Sequence, residues 1–244
     1  MSPVEDVTFE GPGQRAQRAA LAIPSHSQGP APGLLVLHEI FGLNDDMRRI
    51  VGEFAEAGYV ALAPAFFDTP GLRALCILRA IKSLRAGKGP NFDLLESART
   101  YLESRPEVDA TRVGAVGFCM GGGFAVLLAA RAPLQVVATF YGDVPQDSKD
   151  LEGICPVVAG YGGKDWIFGR GAKRLEGHLD TLGVERDVKL YPEAGHSYMS
   201  PHRGVVATLG GWSPMRVGYD EGAAADSWTR MLGFFSKHLD HAQT

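Results

Sequence analysis

Short, mostly apolar runs of strand length recur along the chain, separated by stretches whose apolar residues are spaced as on a helix face. Gly33 to Leu37, Tyr59 to Ala63, Arg112 to Val116, Val136 to Tyr141, Cys155 to Ala159 and Val188 to Tyr191 read as strands. Such runs, apolar rather than alternating, suit strands covered on both faces. Val4 to Glu10 and Arg18 to Ile23 read as opening strands. Between them fall the predicted helices. The first is capped by Asn44, carries Asp45 and Asp46 in its first turn and ends near Gly58. The others are Leu72 to Arg85, Phe92 to Ser104, Gly122 to Ala130, Gly171 to Leu182 and Ala223 to Leu239. The last places Trp228, Met231, Leu232 and Phe235 on one apolar face, as core packing requires. Strands alternating with helices predict an α/β fold, a doubly wound and mostly parallel sheet with helices on both faces.

Composition narrows the picture. A chain of 244 residues with 45% hydrophobic content suffices for one large core, and with no linker-like stretch a single domain over 1–244 is expected. A formal net charge of -4 gives no general attraction to nucleic acid or to an anionic membrane. Met1 to Asp6 has neither a basic start nor an apolar segment, so no signal peptide is expected, and no apolar run reaches spanning length. The three cysteines, Cys76, Cys119 and Cys155, are scattered in a way that fits neither a disulfide framework nor a zinc site. A free thiol suits a reducing compartment, and a cytoplasmic protein, monomeric or weakly dimeric, is expected.

One cysteine stands apart. Gly117-Phe118-Cys119-Met120-Gly121 joins a predicted strand to a predicted helix, the context of the Gly-x-Ser-x-Gly turn that exposes the nucleophile of α/β-hydrolases. A nucleophile needs a base, and the base an orienting acid. Tyr161-Gly162-Gly163-Lys164-Asp165 follows one later strand, and Pro192-Glu193-Ala194-Gly195-His196 follows the next. The order Cys119, Asp165, His196 brings nucleophile, acid and histidine to the carboxyl edge of one sheet. The backbone N-H of Met120, at the start of a helix, is one candidate oxyanion donor. Glu39 follows the apolar run Leu34 to Leu37, where burial would make its charge costly unless paired. His38 beside it has no second ligand at helical spacing, so no metal is expected.

Together with Leu37-His38-Glu39-Ile40-Phe41-Gly42-Leu43-Asn44 and Ala194-Gly195-His196-Ser197-Tyr198, these motifs make roughly residues 15 to 240 resemble the dienelactone hydrolase family, cysteine-dependent α/β-hydrolases that cleave lactones and related esters without a cofactor. The resemblance implies that Glu39 touches the nucleophilic sulfur and helps switch it from thiol to thiolate. It implies a second oxyanion donor in the backbone N-H of Ile40, and a small lactone or ester bound against Phe41 and Tyr141. Family members that bind a substrate carboxylate carry an arginine four residues after the histidine. This chain has Ser200 there, with Ser197 retained and Arg203 nearby but out of register. Arg73, Arg79, Lys82 and Arg85 form a basic helical stretch, read as a solvated face that could also supply a cation to the pocket mouth. Two other classes compete. A class I glutamine amidotransferase would place its acid two residues after the histidine, where Tyr198 stands, and a silent binding protein on the same fold would have no use for the retained triad.

Overall fold

A computed structural model describes residues 2–26, 29–66, 73–202 and 205–240. Eight strands form one sheet in the order β1-β2-β4-β3-β5-β6-β7-β8. They are β1 (Val4–Gly11), β2 (Arg15–Ala22), β3 (Ala31–Leu37), β4 (Val60–Pro64), β5 (Val108–Phe118), β6 (Val136–Phe140), β7 (Val157–Gly162) and β8 (Arg186–Tyr191). The β1/β2 and β2/β4 pairs are antiparallel, and from β4 across to β8 every pair is parallel. The helices are α1 (Asp45–Glu56), α2 (Arg73–Ala86), α3 (Pro90–Glu103), α4 (Met120–Ala129), α5 (Gly171–Leu182), α6 (Val205–Trp212) and α7 (Glu221–Phe235).

Strand residues alternate between two cores. Leu35 and Leu37 join the side chains of α3, α4 and α5, while Leu34 and Val36 join those of α1 and α7. The predicted layering on both faces is therefore present. Helix α4 is buried on all sides, as its apolar sequence demands. Asn44 caps α1 by accepting a hydrogen bond from the Met47 N-H at 3.0 Å, an interaction worth about 1 kcal/mol.

Several boundaries differ from the sequence reading. Strand β7 starts at Val157, not Cys155, because Pro156 offers no N-H to a ladder, and it runs on through Gly162. Strand β6 ends at Phe140, since Tyr141 turns into the left-handed region with φ 45°. Helix α7 begins at Glu221, capped by Asp220, and gives way to a wider turn at Ser236–Asp240. Leu72 lies outside the described residues. Helix α6 has no counterpart in the sequence reading.

Candidate active site

The sheet order places β3 beside β5, with Leu37 opposite Gly117. From β3 the chain crosses to β4 on one side, and from β5 to β6 on the other, so the carboxyl ends of β3 and β5 flank the point where the winding reverses. Crevices at such points are where ligands bind in open α/β sheets. Glu39 and Cys119 each lie two residues beyond the Leu37/Gly117 pair, so register alone brings them to this edge of the sheet.

Cys119 has φ 53° and ψ -120°, a conformation that costs a non-glycine residue about 1 to 3 kcal/mol and persists only where the surroundings enforce it. The enforcement is visible. The Cys119 N-H donates to the Phe140 carbonyl at 3.0 Å, and the Cys119 carbonyl accepts from the Gly122 N-H at 3.0 Å. A Cβ on Gly117 would collide with the Gly121 carbonyl, and one on Gly121 would collide with the carbonyl of Leu37. The two glycines thus let α4 begin directly against the ends of β3 and β5.

Asp165 and His196 arrive from β7 and β8. A Cβ on Gly162 would strike the Gly195 carbonyl, and one on Gly195 the carbonyl of Arg216, so both loops pack at glycine-only distance. His196 Nε2 lies 3.1 Å from Cys119 Sγ, and His196 Nδ1 lies 2.6 Å from Asp165 Oδ2. The other carboxylate oxygen of Asp165 accepts the N-H groups of Ile167 and Phe168, each at 3.0 Å. The backbone of His196 is fixed at both ends, its N-H donating to Met215 and its carbonyl accepting from Gly218. Its ring lies against Tyr141 and Phe168, with centroids 5.0 and 5.1 Å away. Burial alone would lower the imidazole pKa, but the charge of the Cys119 sulfur and the hydrogen bond to Asp165 outweigh it and raise it to about 10.

Glu39 is buried, and its partners among the described residues come from the segment after His196. Its Oε2 lies 3.1 Å from His202 Nε2, and its Oε1 accepts from the Ser200 hydroxyl at 3.4 Å. Burial would push this carboxyl up, yet the His202 hydrogen bond and charge, the His196 charge and a hydrogen bond from Ser197 hold it below its ordinary value. His202 is displaced upward for the reciprocal reason, with burial opposing and Glu39 prevailing. His202 was not singled out by the sequence. It follows Pro201 in a loop without periodicity, and its pairing with Glu39 joins two loops far apart in the chain.

The remaining predicted residues fall into place unevenly. Phe41 sits edge-on to the His202 ring at 5.0 Å, Tyr141 is fully buried, and Ser197 is buried with φ 53°. The Glu39 carbonyl accepts from His38 Nδ1 at 2.8 Å and from the Gly42 N-H at 3.0 Å, which fixes the plane of the Glu39–Ile40 peptide. Met120 is the first residue of α4. Arg203 lies outside the described residues, as does the side chain of Arg73. Among the described residues, no three His, Cys, Asp or Glu side chains are grouped as metal ligands would be. No described helix is long and apolar enough to cross a membrane.

The mostly parallel eight-stranded sheet, with Cys119, Asp165 and His196 meeting beyond its carboxyl edge, has the arrangement of the α/β-hydrolase class. Comparison with known proteins takes this further. The dienelactone hydrolase family profile matches residues 18–239. A Yersinia pestis protein named "Putative carboxymethylenebutenolidase" is 28% identical over 235 residues, covering 90% of this chain and 83% of its own. A Synechocystis protein of the same name is 27% identical over 248 residues, covering 93% and 95%. The crystal structure of a dienelactone hydrolase-like promiscuous phosphotriesterase from metagenomic libraries superposes with a TM-score of 0.80 at 28% identity, covering 97% of this chain and 98% of that one. A dienelactone hydrolase from Anabaena variabilis, at 20% identity, shares the fold with a TM-score of 0.72 over 98% of this chain and 99% of its own. This chain belongs to the dienelactone hydrolase family, and by that membership it is a hydrolase of carboxylic esters.

Proposed function

We propose that the protein cleaves a small carboxylic ester or lactone through an acyl-cysteine intermediate, with Cys119, His196 and Asp165 as its triad. The observation that carries this reading is the relay Sγ to Nε2 at 3.1 Å and Nδ1 to Oδ2 at 2.6 Å. Cys119 thiolate attacks the carbonyl carbon, and the N-H groups of Met120 and Ile40 receive the developing oxyanion. The His196 imidazolium protonates the departing alkoxide as the C-O bond breaks, leaving the acyl group on sulfur. Water then attacks the thioester while neutral His196 takes its proton, and the thiolate leaves with the carboxylic acid. Asp165 fixes the tautomer and orientation of the ring. Phe41, Tyr141, Ser197 and Arg203 are assigned to the substrate side.

The amidotransferase reading loses support at the same point. Tyr198, which stands at its acid position, is fully buried and hydrogen-bonded to Ser227 at 2.8 Å, while the His196 ring has Asp165 at 2.6 Å, in support of the triad proposed here. A substrate screen with acid quenching tests the proposal. Aryl esters and lactones, neutral and carboxylated, should give turnover and a thioester adduct on the tryptic peptide bearing Cys119. Turnover with no adduct on that peptide at any quench time would overturn the acyl-cysteine route.

Glu39 is assigned to control of the sulfur's charge, and His202 to neutralising Glu39. A carboxylate in this crevice disfavours a neighbouring thiolate, and a paired histidinium offsets it. Glu39→Gln should therefore raise the rate of Cys119 alkylation by iodoacetamide at neutral pH several-fold, and His202→Asn should lower it. Superimposable pH profiles in all three proteins would leave Glu39 as an anchor for the Ile40 loop alone.

A further inference from the structure

One cavity among the described residues includes neither the triad nor Glu39. It opens between α2, the turn into α3 and the start of β2, with a volume of about 1060 Å³, at the upper end of the roughly 300 to 1,000 Å³ common for small-molecule sites. Its walls are apolar where Phe66, Cys76 and Leu94 face it, and its rim carries four cations, Arg15, Arg79, Lys82 and Lys88. No acidic side chain among the described residues lines it, and none of the four cations forms an ion pair there. The four come from three separate segments, so the charge does not follow from one basic helix face. Elsewhere in the structure cations are commonly paired, as with Arg49 between Asp46 and Glu53 or Arg99 between Glu96 and Glu103.

The rim is built rather than loose at its centre. The buried Ser83 hydroxyl donates to the Lys88 carbonyl at 2.9 Å, and the Lys88 N-H donates to the Ser83 carbonyl at 3.3 Å. These bonds hold the turn that carries Lys88 and leads through Gly89, at φ 115°, into α3. Helix α3 starts there with Gly89 at its N-cap and no side chain capping it, and Asp93 in its first turn lines a different cleft. Phe66 ties the cavity to the rest of the molecule, because its ring also stacks on His38 at 4.0 Å and its carbonyl accepts from Asn91 at 3.2 Å. Of the basic stretch read in the sequence, Arg79 and Lys82 reach this cavity, while Arg85 lines a separate cleft near Asp143.

We propose that this cavity is a second small-molecule site that takes an amphipathic anion, a carboxylate on a medium-length apolar chain, independent of the ester-cleaving crevice. The apolar walls exclude a purely ionic ligand as best fit, and the unopposed cations disfavour a neutral one. Guanidinium groups at Arg15 and Arg79 offer the paired donors that a carboxylate accepts.

Decanoate is the probe, with binding followed by titration calorimetry on protein already alkylated at Cys119, so that the catalytic crevice is blocked. Saturable binding is expected, weakened at least tenfold for 1-decanol and undisturbed by equimolar inorganic phosphate. The variant Arg79→Glu/Lys82→Glu should lose affinity by about tenfold or more. Ala86→Trp, which fills the cavity from an exposed position, should do the same without touching the charges. Unchanged decanoate affinity in both variants, or displacement of decanoate by phosphate, overturns the proposal. Absence of any decanoate binding does so equally, whatever the fate of the triad.

Discussion

Cys119→Ala is expected to abolish ester hydrolysis, a loss of roughly 10^5- to 10^6-fold, with little change in thermal stability. The size follows from the nucleophile's role in both chemical steps: without it no acyl group is transferred, and only binding and the oxyanion donors remain. Stability is spared because the side chain is half-buried and its removal deletes one sulfur from a site whose backbone is held by Phe140 and Gly122. Neither of the other thiols is placed to substitute. Cys155 precedes β7, and burial pushes its pKa up to about 12, so it is protonated at neutral pH. Cys76 lines the cavity beside α2. Initial rates on an aryl ester, paired with a thermal melt, check the prediction. Undiminished turnover in the variant would remove Cys119 from the mechanism.

What the sequence shows about this site is what depends on local order. Cys119, Asp165 and His196 were legible because each follows a strand, and parallel strands deliver their carboxyl ends to one edge. The glycines at 117 and 121 were legible for a steric reason, and the structure supplies the atoms they avoid. Glu39 was legible as a carboxylate in apolar company, but its partner was not. His202 reaches it from a loop with no periodic signal, and nothing local records a contact between distant loops. Helix α6 was missed because Val205 to Trp212 contains two adjacent glycines and no polar residue to begin it. Tyr141 read as the end of a strand because its aromatic ring suits one. Its positive φ is imposed from outside, by a hydrogen bond from its N-H to the Gly160 carbonyl at 2.8 Å. The cavity rim was legible as basic residues on a helix, although only the fold shows that two of them meet Arg15 and Lys88.

Asp165→Asn is expected to fold normally and to lose roughly 10^4-fold in kcat/KM, the scale seen when an orienting carboxylate is made neutral and the histidine can adopt the wrong tautomer. An asparagine keeps the volume and can still accept the Ile167 and Phe168 N-H groups through its oxygen. It can then present only its NH2 group to Nδ1, so His196 is driven to carry its proton on Nε2, facing the sulfur. The pH profile separates this account from simple misfolding. His196 holds its proton up to about pH 10, partly because of Asp165. The imidazolium that protonates the leaving group is therefore present below that pH and lost above it, so kcat/KM of the wild type should fall on its alkaline side near pH 10. Removing the carboxylate's charge and hydrogen bond lowers the proton affinity of His196, which moves the alkaline limb of the residual activity to lower pH. The competing acid is Asp143, which follows Tyr141-Gly142 after β6 and whose side chain accepts the N-H of Val144 at 2.9 Å. If Asp143→Asn inactivates the enzyme and Asp165→Asn leaves both the rate and the alkaline limb in place, the orienting acid is Asp143 and the relay assigned to Asp165 is wrong.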